Sequence, residues 1–123
     1  MTNKLVLNSL SSAEVDLKYW KPNSNQDIFI CLDLEISFEN KADGSNLFYV
    51  TLASPEALRI HRKGIVLVKN KTLVVKEFDY EALMQRINEI LCQCTRNTWE
   101  ESCTVLQKYF SWEYEDYSME GSE

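Results

Sequence analysis

The side chains best suited to chemistry in this chain are one histidine, four cysteines and a few carboxylates spaced two apart. His61 titrates near neutral pH, but it stands in a basic stretch with no nucleophile signature such as G-x-S-x-G beside it. It reads as a solvated loop residue. Cys31, Cys92, Cys94 and Cys103 are too sparse for a secreted disulfide scaffold. Cys92 and Cys94 fall i, i+2 in a helical segment and so point in different directions, and partners at metal-ligand spacing are missing. All four read as reduced structural thiols, since free Cys packs like a small hydrophobe. The pairs Asp33/Glu35 and Glu113/Glu115 could in principle divide acid and base roles. Their strand-like spacing makes each pair more simply the wet face of a sheet. With three glycines in all, no loop is available to cradle a phosphate. No catalytic residue, cofactor or metal is expected.

The elements that would hold these side chains are outlined by hydrophobic period. Lys4 to Leu10 alternates weakly, as a first strand. Ser11 to Asn25 is a polar loop anchored by Val15, Leu17, Tyr19 and Trp20. Asp27 to Phe38 is the clearest strand, with Ile28, Ile30, Leu32, Leu34, Ile36 and Phe38 on one face and Asp33, Glu35 and Ser37 on the other. Glu39 to Asn46 carries hairpin turn chemistry, and Leu47 to Ala53 returns with Phe48, Val50 and Leu52 inward. Ser54-Pro55 opens a short helix that Gly64 should end. Ile65–Val68 and Thr72–Phe78 read as strands around a Lys-Asn-Lys turn. Asp79 caps an amphipathic helix to Cys94 that buries Tyr80, Leu83, Met84, Ile87, Ile90, Leu91 and Cys94. Thr98-Trp99-Glu100-Glu101 is a capping box for a last helix to Phe110, its buried stripe Trp99, Ser102, Cys103, Leu106 and Phe110. Strands first and helices last predict an α+β fold, an antiparallel sheet with two C-terminal helices packed on one face.

The 123 residues suit a single domain, 1–123, with an acidic tail from about 118. Apolar runs fall far short of the roughly 20 residues that span a bilayer. Met1 to Leu10 lacks a signal-peptide core, so a cytoplasmic location without membrane contact is expected. The net charge of −6 argues against a nucleic-acid partner and for a basic protein one. Six basic residues and no acidic one lie between Arg59 and Lys76, whereas five acidic residues and no basic one follow Trp112. These segments either face each other or form separate patches.

The stretches SLSSAEVDLKYWKP, DIFICLDLEISFEN, LFYVTLASPEAL, VVKEFDYEAL and NTWEESCTVLQKYFSWEYEDY occur in order over nearly the whole chain. Together they resemble the immunity protein 8 family of bacterial toxin systems. The family's acidic Asp-Leu loop matches Asp16-Leu17, and its Ser/Thr-Pro after a strand matches Ser54-Pro55. Its aromatic-Asp-Tyr helix start matches Phe78-Asp79-Tyr80. Its C-terminal signature matches Trp99-Glu100 and the run from Trp112 to Tyr117. Two loop features depart: Ser12-Ala13-Glu14 stands where Ser-Pro-Asp is common, and Phe38-Glu39 where a Gly commonly follows the long strand.

The resemblance implies a stoichiometric inhibitor of a cognate toxin C-terminal domain, in a contact-dependent inhibition or other polymorphic toxin system. The toxin is expected to be basic, as nucleases with basic substrate clefts are. On this reading Glu113, Glu115 and Asp116 form one candidate toxin-binding patch, beside aromatics (Trp112, Tyr114, Tyr117) that pack as a closing structural segment. Asp33 and Glu35 form a second, with Glu39 and Asp43 beyond them at the turn. The residues alone leave open a small-ligand or peptide-binding adaptor without a toxin partner.

Overall fold

The long alternating segment forms β2, Phe29–Phe38. Its inward residues Ile30, Leu32, Leu34, Ile36 and Phe38 are buried, as is Ile28 just before it, while Cys31 and Glu35 on the other face are exposed. The computed structural model describes residues 4–24, 27–40, 44–61 and 71–114. A hairpin leads from β2 into β3, Asn46–Ala53, paired antiparallel from Phe29 opposite Ala53 to Ile36 opposite Asn46. Gly44 takes a φ of +75° just before β3, a region that glycine enters without a Cβ penalty.

β1, Leu5–Ser11, pairs antiparallel with the other edge of β2. Its weak alternation has a physical cause. The register slips between Leu7 (opposite Ile36) and Ser9 (opposite Glu35), making Asn8 the extra residue of a bulge. The slip lets Leu5, Leu7 and Leu10 all reach the core. Asn8 turns outward and donates to the hydroxyls of Ser37 at 2.9 Å and Ser45 at 3.1 Å.

Ser54 caps α1, Pro55–His61: its hydroxyl accepts the backbone N–H of Ala57 at 3.2 Å and of Ile28 at 3.3 Å. His61 is thus helical, not a loop residue. The strand expected at Ile65–Val68 and the stop at Gly64 lie outside the described residues. β4, Thr72–Val74, is shorter than the expected Thr72–Phe78 and runs parallel to β3. That parallel pair departs from the all-antiparallel expectation. A helical crossover carries the chain back toward the end of the sheet where β3 began, so that the next strand runs parallel.

α2, Tyr80–Cys94, starts at Asp79, whose carboxylate accepts the N–H groups of Glu81 and Ala82. α3, Trp99–Leu106, starts at Thr98, whose hydroxyl accepts the Glu101 N–H at 3.1 Å. Glu101 reaches back to that hydroxyl at 3.1 Å. α3 ends four residues earlier than expected. Tight turns over Gln107–Phe110 then drop Phe110 into the core, where it is 0% exposed. The chain closes with β5, Ser111–Trp112, antiparallel to β3 with Phe48 opposite Trp112 and Tyr49 opposite Ser111.

The sheet order is β1-β2-β3-β4, and β5 shares the β4 side of β3. Leu83, Ile87, Ile90, Leu91 and Cys94 of α2, with Cys103 and Leu106 of α3, meet the inner face in one core. Each such aliphatic contributes about 1.5–3 kcal/mol by leaving water. Trp99 is half-buried and sets its ring edgewise on Phe38 and Phe48, with centroids 5.9 and 6.5 Å away. The architecture is α+β, with the two C-terminal helices on one face. Of the expected loop anchors, Leu17 is buried and Val15 and Trp20 pack on the core, but Tyr19 is 72% exposed beneath the Lys18 ammonium. Among the described residues no helix is long and apolar enough to cross a membrane.

Candidate functional site

The helices cover one face of the sheet, and the residues between the core positions make the other. Strand register builds two neighbouring rows there. One row runs Ser11, Asp33, Tyr49, Ser111. The next runs Ser9, Glu35, Leu47 and ends at Glu113, whose N–H donates to the Leu47 carbonyl at 3.1 Å. Cross-strand neighbours hold their Cβ atoms about 4.5–5.5 Å apart, so Asp33, Glu35 and Glu113 surround Leu47 and Tyr49 within a few strand widths.

Glu14, from the loop after β1, adds a fourth carboxylate. β1 stops opposite Asp33, which leaves the Cys31 N–H without a strand partner, and Glu14 Oε2 accepts it at 2.9 Å. Glu35 is steadied by the Ser9 hydroxyl, which donates to Oε2 at 2.9 Å. No Lys or Arg stands among the described strand residues of this face.

The electrostatics follow from this crowding. Partial burial, then the carboxylates of Glu113 and Asp33, push the Tyr49 hydroxyl above its usual range. Partial desolvation, then Asp33 and Glu14, push the Cys31 thiol up as well, although the residue is exposed. A thiol held protonated is a poor nucleophile and a poor metal ligand.

On β3 this face is open at Leu47 and Tyr49, and on β2 from Cys31 to Glu35. Thr51 and Ala53, toward α1, are buried, and Ser37 at the far end is covered. Ser111 is 9% exposed, and its hydroxyl finds no hydrogen-bond partner among the described residues. Leaving a buried hydroxyl unmet costs on the order of 1–3 kcal/mol.

Asp33, Glu35 and Glu113, read in the sequence as members of two separate patches, therefore lie on one surface. Glu39 lies apart, beyond the covered Ser37, with its backbone N–H on the Lys4 carbonyl at 2.8 Å. Asp43, Glu115 and Asp116 are outside the described residues. Glu14, Leu47, Tyr49 and Ser111 escaped sequence reading. A Leu and a Tyr at the outward positions of β3 were the available signal; Glu14 and Ser111 carried none. Trp112 is structural, as expected of the aromatics: it stacks on Phe48 with centroids 6.4 Å apart and donates to Asn46 Oδ1 at 3.3 Å. Tyr114 stands edgewise on it and is 46% exposed. Tyr117 lies outside the described residues.

The cysteines divide. Cys94 and Cys103 are buried, whereas Cys31 and Cys92 are exposed, so the buried structural role holds for two of them. Parity explains both departures: Cys31 shares its face with Asp33, and Cys92 sits i−2 from the inward Cys94. Among the described residues no three His, Cys, Asp or Glu converge as a metal site. A cleft of about 600 Å³ between β1 and α2 is lined by Leu5, Leu7, Asn88, Cys92 and Thr95, with Lys4 and Val6, and brings no acid and base together.

The family model described as immunity protein 8 matches residues 5–117. No curated protein and no solved structure matches the chain. Because the match runs from β1 past β5, the chain belongs to the immunity protein 8 family, and its implied partner is a cognate toxin.

Proposed function

We propose that this immunity protein neutralises a basic toxin C-terminal domain by one-to-one binding without catalysis, through the open middle of its outer sheet face. One observation carries the reading. Asp33, Glu35 and Glu113 gather around the half-buried Leu47 and Tyr49, with Glu14 beside them at Cys31 and no described cation among the strand residues of that face. Aromatic and aliphatic anchors inside a charged rim have the composition of a protein interface. The net charge of −6 would speed encounter with a basic partner and discriminate against acidic ones. A nuclease of a contact-dependent or other polymorphic toxin system has the required charge, and inhibition takes place in the cytoplasm of the producing cell.

Co-expression with the toxin domain encoded beside it is the test. Growth should be restored, and the two chains should co-purify at one to one. Asp33→Asn, Glu35→Gln and Glu113→Gln together should weaken the complex and make association less sensitive to salt. Growth rescue with no physical complex would sink the inhibitor reading. An unweakened triple variant would move the interface elsewhere, with Glu39 and the Glu115/Asp116 pair the next to be exchanged.

A further inference from the structure

The outer face combines an acidic rim with a polar group that the fold leaves unsatisfied. Ser111 is brought opposite Tyr49 by the β3–β5 pairing, one strand further from Asp33 and two residues from Glu113. It is nine-tenths buried, and its hydroxyl has no partner among the described residues. Serine at this place is therefore not explained by packing, for which alanine would serve better. A hydroxyl accepts as well as donates, and its carboxylate neighbours select a cationic donor.

We infer that this row seats the guanidinium of an arginine from the toxin, held between the Asp33 and Glu113 carboxylates, against the Tyr49 ring and with the Ser111 hydroxyl as a further acceptor. The inference rests on the proposed inhibitory reading and names the group recognised. Geometry favours arginine over lysine. Asp33 and Glu113 stand on opposite sides of β3, and strands lie about 4.8 Å apart, so the two carboxylates flank Tyr49 rather than converge on a point. A planar guanidinium carries five donors in a fork and stacks on aromatic faces. It can serve acceptors spread over that width, whereas an ammonium is a compact, strongly hydrated point charge. A bare metal ion fits less well, since hard cations need six or more oxygens at about 2.3–2.6 Å, and these carboxylates sit on separate strands. The raised Tyr49 hydroxyl agrees with an added cation being welcome where another anion is not. Contact with Ser111 requires the arginine to displace whatever side-chain atoms cover the hydroxyl, and the seat is thus completed on binding.

The test uses the full chain, isotopically labelled, titrated with blocked tetra-arginine and tetra-lysine peptides at equal ionic strength. Amide shifts at Leu47, Tyr49, Ser111 and Glu113 should saturate, with tetra-arginine binding at least about fivefold tighter, as expected for stacking plus bidentate contacts. Ser111→Ala should remain folded by thermal melt and bring the two affinities together. Asp33→Asn with Glu113→Gln should abolish the shifts. Equal affinities for the two peptides in the wild-type chain would overturn the inference. So would shifts centred elsewhere, or a preference unchanged by Ser111→Ala. Binding of the neighbouring toxin is measured in parallel on the same proteins. A tight toxin complex without arginine preference removes the arginine seat alone, while a chain that fails to bind its toxin removes the inhibitory reading.

Discussion

Leu32 and Leu34 are completely buried, yet Asp33 between them and Glu35 beside them face the other way, on the same strand and backbone. The two faces of this sheet are built on different principles. The inner face is a solvent-exclusion surface: the inward positions of β2 and β3 are aliphatic or aromatic except Asn46 at the start of β3, which accepts from Trp112, and the helices α2 and α3 supply more apolar side chains. The outer face is a meeting place of segments distant in sequence, where Asp33, Tyr49 and Glu113 come together only through pairing register and Glu14 joins through its bond to the Cys31 N–H. Substitutions on one face should therefore register as lost stability, and on the other as lost binding.

The largest effect separating the faces is expected at Phe48 and Tyr49, adjacent residues of β3. Phe48→Ala should destabilise by about 3–5 kcal/mol, as for a large aromatic removed from a core. Tyr49→Ala should cost far less in a urea melt while weakening the toxin complex more. Equal losses of stability would show that both faces are load-carrying core. Trp99→Ala is expected to fall between, at about 2–3 kcal/mol, because its ring is half-buried against Phe38 and Phe48.

Next in size is charge. Exchanging Asp33, Glu35 and Glu113 for their amides should leave stability within about 0.5 kcal/mol, as for surface substitutions generally. Stopped-flow association with the toxin should slow by tenfold or more at low salt, with dissociation less affected. Faster dissociation alone, with association unchanged, would argue for direct contact without steering. Smaller still is the cap of α2, where Asp79→Ala should cost about 1 kcal/mol by freeing the Glu81 and Ala82 N–H groups. That loss should leave toxin affinity untouched, because the cap lies away from the acidic rows.

The smallest change concerns Cys31. In a Cys92→Ser background its alkylation rate should rise with pH along a profile displaced to the alkaline side, because the thiolate is what reacts and burial, Asp33 and Glu14 hold the thiol protonated. Asp33→Asn should shift that profile back toward lower pH. A profile indifferent to Asp33 would mean that its carboxylate does not act on the Cys31 thiol.

Local chemistry made much of the inner half legible. The alternation of β2, the Ser54, Asp79 and Thr98 caps and the stripe of α2 obey short-range rules, and each is found close to where those rules put it. The misreadings also have local causes. Tyr19 looked like an anchor because aromatic rings usually pack, yet it is exposed; Phe110 looked helical because its spacing continues α3, yet tight turns deliver it. The parallel pairing of β4 could not be read from three residues, since direction is set by the crossover before them rather than by their own pattern.

From the residues themselves came the inward face, the helix starts, the α+β class, the net charge and the identity of the carboxylates. Tertiary structure alone decided which carboxylates share a surface. β5 is two residues long and has no period to recognise, and its partner lies about sixty positions earlier. Where it lands depends on how α3 packs and where the turn after it releases the chain. Hydrophobic burial acts on each residue where it stands and leaves a periodic trace in sequence. Cross-strand proximity is a property of two distant segments at once, and for Asp33, Tyr49 and Ser111 it exists only after the core beneath them has formed.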